Sequence, residues 1–403
     1  MRNATYIMES LVIISDEQVA RLRNETPSCK KVIHFNHAGA SLMPDPVFHA
    51  VIEHLELERE IGGYEAAALA EDAMRGFYSG FAELLRVTPE EIAFVENATR
   101  AWDMAFYALP LKEGDRIITH SSEYASNYLA FLHFAKRRGI EIDVAPSDSS
   151  GQIDVTRLGA LMQPSTKMIN LVHVPTQGGL INPAEEVGRF AKQHGLTYFL
   201  DACQSVGQID LDVSKIGCHV LSGTGRKFLR GPRGTGFLYV SNEILNDLDP
   251  PFIDMHAATW IDASTYELAA GARRFENWES YIAGRVGLAA AVDYAREIGL
   301  PAIEERVTYL ANQLRMSLSE IDGVNVRDLG ASKCGIVTFD IEGESPTNLS
   351  DRLRDSGVNI SITGPESAQL DFTERDITEL ARASVHYLNT ETEIERFCDL
   401  IAH

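Results

Sequence analysis

The sequence lacks the features that mark several large classes of protein. Its five cysteines (Cys29, Cys203, Cys218, Cys334, Cys398) are odd in number and scattered, with no C-x-x-C pair. That pattern excludes a disulfide framework and a zinc site, and it fits a reducing, cytoplasmic setting. Long apolar runs are missing too. The apolar residues at 6–8 and 11–14 are divided by Glu9 and followed by no small-residue cleavage site, so neither a signal peptide nor a membrane span is expected. Basic residues are scarce: 36 Lys and Arg stand against 58 Asp and Glu, a formal net charge of −22. So acidic a chain repels polyphosphate, which argues against non-specific binding to nucleic acid or an anionic membrane. No repeat or low-complexity segment stands out, and no metal site is expected.

What is present reads as a soluble globular enzyme. The 403 residues are 45% apolar and 23% charged, which argues against disorder and allows two or three domains. Ser15-Asp16-Glu17-Gln18 predicts a capping box opening a short helix, with Gln18 reaching back to the Ser15 amide. A turn-like segment at 36–41 precedes one long helical stretch over 46–86, and Thr88-Pro89 starts another helix. Short apolar runs then recur at 92–95, 116–119, 141–145, 167–172, 197–200, 219–221 and 236–240, with helical stretches at 123–137, 155–162 and 183–194. This alternation predicts an α/β fold with a mostly parallel sheet covered by helices on both faces. Beyond 284 the order changes: helices at 285–298 and 301–321, runs at 324–328 and 335–341, a helix at 349–356, runs at 358–362 and 383–387, and a last helix capped by Thr390. That layout predicts a smaller α+β domain. The expected division is an arm and helix at 1–35 packing on the small domain, a large domain at 36–284 and the small domain at 285–403.

In an open parallel sheet, ligands gather beyond the carboxyl ends of the strands. There the sequence carries T-Y-F-L-D-A-C-Q at 197–204, S-G-T-G-R-K at 222–227 and G-P-R-G-T-G at 231–236. Asp201 closes one apolar strand, and Lys227 follows the next across a glycine-rich turn. Charged groups at adjacent strand ends are costly unless they are paired or used. One chemistry wants both. Pyridoxal phosphate needs an amine for a Schiff base and a carboxylate to keep its ring nitrogen protonated. Partial burial and a nearby cation would lower the lysine pKa, so that the amine can attack and move protons.

At these residues the chain resembles the class V aminotransferase family of fold-type I pyridoxal-phosphate enzymes, which holds cysteine desulfurases, kynureninase and isopenicillin N epimerase. The resemblance runs from Asn36 to the final helix, and the S-G-x-x-x-K and G-P-x-G-x-G motifs carry it. It implies Lys227 as the Schiff-base lysine, Asp201 as partner of the ring nitrogen and Gln204 as a donor to the phenolate oxygen. E-N-A-T-R at 96–100, between a strand and a helix, matches the family's phosphate turn, with amides from Ala98 and Thr99 and hydroxyls from Thr99 and Thr224. Arg226 stands where many relatives have histidine, and its fork can bind phosphate. Within E-Y-A-S-N at 123–127, Ala125 replaces the usual stacking histidine, which leaves Tyr124 to stack or to lie in the core. Thr176 replaces an asparagine that relatives direct at the phenolate oxygen. Arg382, in R-A-S-V-H-Y-L-N-T, is expected to hold the substrate carboxylate, and His37 to border the substrate. R-R-F-E-N-W at 273–278 resembles a loop that crosses to the partner site in family dimers, although Glu279 stands at the usual threonine. A homodimer with its site at the subunit interface is therefore implied.

The resemblance also narrows the reaction. Cysteine desulfurases use a loop cysteine to take sulfur as a persulfide, and residues 358–369 contain none. The motifs look closest to ergothioneine-type C–S lyases and their isopenicillin N epimerase-like neighbours. The expected function is thus β-elimination from a cysteine conjugate, a sulfoxide in the ergothioneine-type case, giving pyruvate and ammonia. An aminotransferase or epimerase is the alternative on the same scaffold. A pyridoxal-binding interaction protein without catalysis is a further one, which the joint presence of Asp201, Lys227 and Arg382 argues against.

Overall fold

A computed structural model describes residues 14–402. The expectation about a signal segment, and the first 13 residues of the expected 1–35 arm, lie outside the described residues.

Seven strands form the main sheet, in the spatial order Ile92–Val95, Gly236–Val240, Val220–Thr224, Thr197–Asp201, Thr166–Val172, Arg116–His120, Glu141–Ala145. Gly236–Val240 runs antiparallel to both neighbours, and the other pairs are parallel. Alternation along the strands feeds two cores. Ile169, Leu171, Tyr198, Leu200 and Leu221 enter one layer, while Met168, Phe199, Val220 and Leu238 enter the other. Both faces are covered, which is why these strands read as unbroken apolar runs.

The long helical stretch expected over 46–86 is three helices: Asp45–Ile61, Gly63–Leu69 and Glu71–Leu85. The first break falls at Gly62, whose φ of 100° lies in a region that side-chain-bearing residues avoid. The capping box at Ser15 and Gln18 forms, opening the helix Asp16–Asn24. Arg23 of that helix donates to the Leu388 carbonyl at 2.7 Å and pairs with Glu393 at 2.8 Å.

The C-terminal residues build a four-stranded antiparallel sheet in the order Val324–Val326, Ile336–Ile341, Leu380–Ser384, Ser361–Thr363. The single run expected at 358–362 is divided. Val358–Asn359 pairs in parallel with Ile33–His34, while Ser361–Thr363 pairs with Leu380–Ser384. The helix Pro365–Glu374 and the exposed hairpin of Ala258–Asp262 with Thr265–Leu268 have no counterpart in the sequence reading. The turn at 36–41 ties these parts together: the Ala38 amide donates to Ser384 Oγ at 2.8 Å, and the Ser41 amide donates to the Arg226 carbonyl at 2.8 Å.

Candidate active site

The parallel strands deliver their polar ends to one cavity. Its walls include Asp201, Lys227, Gln204, Thr224, Arg226 and Tyr124, together with Ala98, Thr99 and Thr176. Asp201 closes the strand Thr197–Asp201 and is 5% exposed. One of its oxygens accepts the Cys203 amide at 2.9 Å, and the other accepts Asn127 Nδ2 at 3.0 Å. Lys227 lies three residues beyond Thr224, the end of the next strand. Burial lowers its pKa, and the guanidinium groups of Arg226 and Arg382 add to that effect. An amine so placed gives up its proton more readily than a solvated lysine.

The helix Ala98–Phe106 begins at the cavity. Its cap, Asn97, accepts the Arg100 amide at 2.8 Å, which leaves the amides of Ala98 and Thr99 directed out of the first turn. Such amides, with the Thr99 and Thr224 hydroxyls beside them, make an anion seat. Arg382 lies on the strand Leu380–Ser384 and is 6% exposed. Its Nη1 donates to the Thr176 carbonyl at 2.9 Å and to Thr176 Oγ1 at 2.7 Å, while Nε has no partner. Among the described residues no carboxylate pairs with it. Burial first, then the Arg226 charge, push its pKa down to about 10.

Some residues sit otherwise than the sequence suggests. His37 does not border the cavity: it is wholly buried, its Nδ1 lies 2.9 Å from Ser41 Oγ, and its ring packs edge-on to His34 and His386. The cause is the tight coil of the turn, in which the amides of Gly39 and Ala40 both donate to the Asn36 carbonyl. The turn presents the Ala38 carbonyl to Gln204 instead, at 3.1 Å. Gln204 Nε2 also donates to Thr176 Oγ1 at 3.2 Å, so its free atom is the buried acceptor Oε1, not the donor that the resemblance implies. Arg226 lines the cavity, and one of its nitrogens, Nη1, donates to the Gly39 carbonyl. Tyr124 caps the helix Ala125–Arg138 and lines the cavity. The sequence reading missed Glu123, Asn127 and Asn170, a buried polar group behind Asp201. Glu123 and Asn127 stand four apart at a helix start, a spacing that places two side chains on one face.

Comparison with known proteins agrees with this architecture. Residues 33–397 match the model of the class V aminotransferase family, described as "Aminotransferase class-V", and the chain belongs to that family. A probable cysteine desulfurase of Xylella fastidiosa is 32% identical over 94% of this chain and 93% of its own. An apo cysteine desulfurase from Thermococcus onnurineus NA1 has the same fold, with a TM-score of 0.88 and 27% identity over 95% of this chain and 97% of its own. A cystine C–S lyase shares the fold at a TM-score of 0.85 and 21% identity, over 94% of this chain and 99% of its own. These relatives are desulfurases and a cystine lyase, so they do not carry the narrower resemblance to ergothioneine-type lyases.

The protein is therefore a fold-type I, pyridoxal-phosphate-dependent enzyme. The donor set suits that cofactor: the free first-turn amides of Ala98 and Thr99 suit a phosphate, and the buried, unpartnered Nε of Arg382 is left for a substrate carboxylate. Asp201 would face the ring nitrogen, and Lys227 would bond the aldehyde carbon.

Proposed function

We propose that this enzyme is a C–S β-lyase that cleaves the Cβ–Sγ bond of a cysteine-derived amino acid, with a cysteine conjugate or its sulfoxide as substrate. The observation that carries the reading is the grouping of Lys227, Asp201 and Arg382 beside a segment, 358–369, without a sulfur-accepting cysteine. Bound pyridoxal phosphate supplies an electron sink for the charge left at Cα. The residues supply the rest. Arg382 holds the substrate carboxylate through its free Nε and guanidinium edge. Asp201 keeps a proton on the ring nitrogen. Lys227, whose basicity burial has reduced, takes the proton from Cα. The Cβ–Sγ electrons leave with sulfur, which takes up a proton. The remaining enamine adds water and falls apart to pyruvate and ammonia.

The active species is proposed to be a homodimer. Phe252, Met255, Trp260, Tyr266 and Trp278 are exposed apolar side chains on the hairpin and its flanks, a face suited to a second copy. A cytoplasmic location is proposed from the scattered thiols; no helix among the described residues is long and apolar enough to cross a membrane. The named relatives support a second reading, cysteine desulfuration to alanine with the sulfur passed to an external thiol.

One assay separates these. The loaded enzyme is given cysteine, cystine and cysteine-conjugate sulfoxides, and pyruvate, ammonia and alanine are measured. Pyruvate and ammonia in equal amounts, without an added oxo acid, support the lyase. Alanine with sulfane sulfur supports desulfuration. Oxo-acid-dependent turnover or inverted substrate overturns both in favour of transamination or epimerisation.

A further inference from the structure

Behind Asp201 lies a second carboxyl group that the proposed reaction leaves unused. Glu123 is 3% exposed, and its two oxygens take four donors. These are Thr119 Oγ1 at 2.5 Å, Asn170 Nδ2 at 2.6 Å, the Tyr124 amide at 2.9 Å and Asn127 Nδ2 at 3.0 Å. Asn127 Nδ2 also donates to Asp201 Oδ2 at 3.0 Å, so one side-chain amide bridges the two carboxyl groups. Asn170 is itself fixed by Trp102 Nε1, 3.3 Å from its Oδ1. Three N–H donors and a hydroxyl favour its ionised form, while burial above all, with the Asp201 charge, pushes its pKa up to about 7, so the carboxylate carries its charge on the alkaline side of neutrality. Among the described residues no cation pairs with Glu123. The titratable groups that face it are Asp201, across Asn127, and Tyr128 on the helix Ala125–Arg138.

We propose that Glu123 is a positioning residue: through Asn127 it orients Asp201 and adds a second negative charge behind the cofactor's ring nitrogen. The chain of contacts is rigid because each member is buried and held from two sides. A ring nitrogen that faces two linked carboxylates holds its proton more tightly than one that faces a single carboxylate. Asn127 holds Asp201 Oδ2 and the Cys203 amide holds Oδ1, so the carboxylate is fixed at both oxygens. Glu123 is not among the side chains that line the cavity, so it acts only through its neighbours.

This inference rests on the reading of Asp201 as the ring-nitrogen partner, and its test separates the two. Dissociation constants are measured for pyridoxal phosphate and for its 1-deaza analogue, in which a C–H replaces the ring nitrogen. The unsubstituted protein is expected to prefer the natural cofactor. Glu123→Gln should weaken pyridoxal phosphate by about tenfold, the equivalent of one pKa unit, and leave the analogue within about twofold. Glu123→Asp, which keeps the charge, should restore much of the preference. Asn127→Ala breaks the bridge with Glu123 in place and should have the same selective effect, and the double variant should be no worse than either single one. Equal losses for both cofactors would make Glu123 a brace of the fold and overturn the proposal. If the unsubstituted protein binds both cofactors alike, the Asp201 reading falls, and this inference with it.

Discussion

Arg382→Met should leave the cofactor-free protein about as stable as before and cripple the enzyme. Arg382 is 6% exposed, and among the described residues it has no carboxylate partner. Burial and the Arg226 charge push its pKa down to about 10, well below the ordinary guanidinium value. A depression of that size corresponds to about 3 kcal/mol that the charged group costs the folded state. Methionine fills much of the same volume without the charge. Against the relief stand the two hydrogen bonds that this charged group donates to Thr176, worth about 1.5 kcal/mol or more each. The terms offset, so the urea midpoint should not rise, and at unchanged m the stability should stay level or fall slightly. With an amino acid bound, a clear loss remains. The lost charge-assisted contact to the carboxylate is worth about 1.5–3 kcal/mol, so KM should rise by about 10- to 150-fold. A variant much less stable than the parent, with KM unchanged, would refute this reasoning and make Arg382 a structural residue.

Two further outcomes follow from contacts elsewhere. Cys203 lines the cavity, and burial, with the Asp201 carboxylate adding to it, raises its thiol pKa, which disfavours a thiolate there. Cys203→Ser should keep pyruvate formation within about threefold, and a loss of a hundredfold or more would reveal a sulfur nucleophile. Gly188 packs its helix against the chain at Ile216, where an added Cβ would lie 1.7 Å from the carbonyl oxygen. Gly188→Ala should therefore cost at least about 3 kcal/mol in denaturant unfolding, because a backbone atom cannot give way as a side chain does. A loss below about 1 kcal/mol would show that the helix shifts freely.

The residues legible in the sequence are those whose position breaks a local rule. Asp201 and Lys227 stood out because a charge at the end of an apolar strand needs a reason, and Ala98 and Thr99 because a helix start after a strand is an anion seat. The parallel sheet was legible for a similar reason: strands covered on both faces leave unbroken apolar runs. What stayed hidden depends on distant partners. Arg226 reaches Gly39, 187 residues away, and Asn127 meets Asp201 across 74 residues. No local pattern records such a meeting. The 358–362 run divides between two sheets because Ile33–His34, far back in the chain, claims its first half. The break at Gly62 falls on the Gly62-Gly63 pair, a turn signal inside the stretch expected as one helix.

The segment that follows the divided run bears on the fate of sulfur. Strand Ser361–Thr363 leads through Gly364 into the helix Pro365–Glu374, so there is no long open loop at this point. Ser367 Oγ donates to the Gly364 carbonyl at 2.9 Å and lies 3.1 Å from Thr363 Oγ1, and Asp371 pairs with Arg375 at 3.2 Å. These contacts hold the segment to itself, and none of its side chains is a thiol. An enzyme that passes sulfur along as a covalent persulfide needs a thiolate able to approach the departing atom. On the proposed reading no group of this segment intercepts it. In β-elimination the sulfur leaves with the bonding electron pair and needs no thiol to receive it, whereas desulfuration to alanine removes sulfur at the zero oxidation level and needs an accepting thiol. The same cofactor machinery can thus serve lyase and desulfurase alike, and it is the presence or absence of an accepting thiol that divides them.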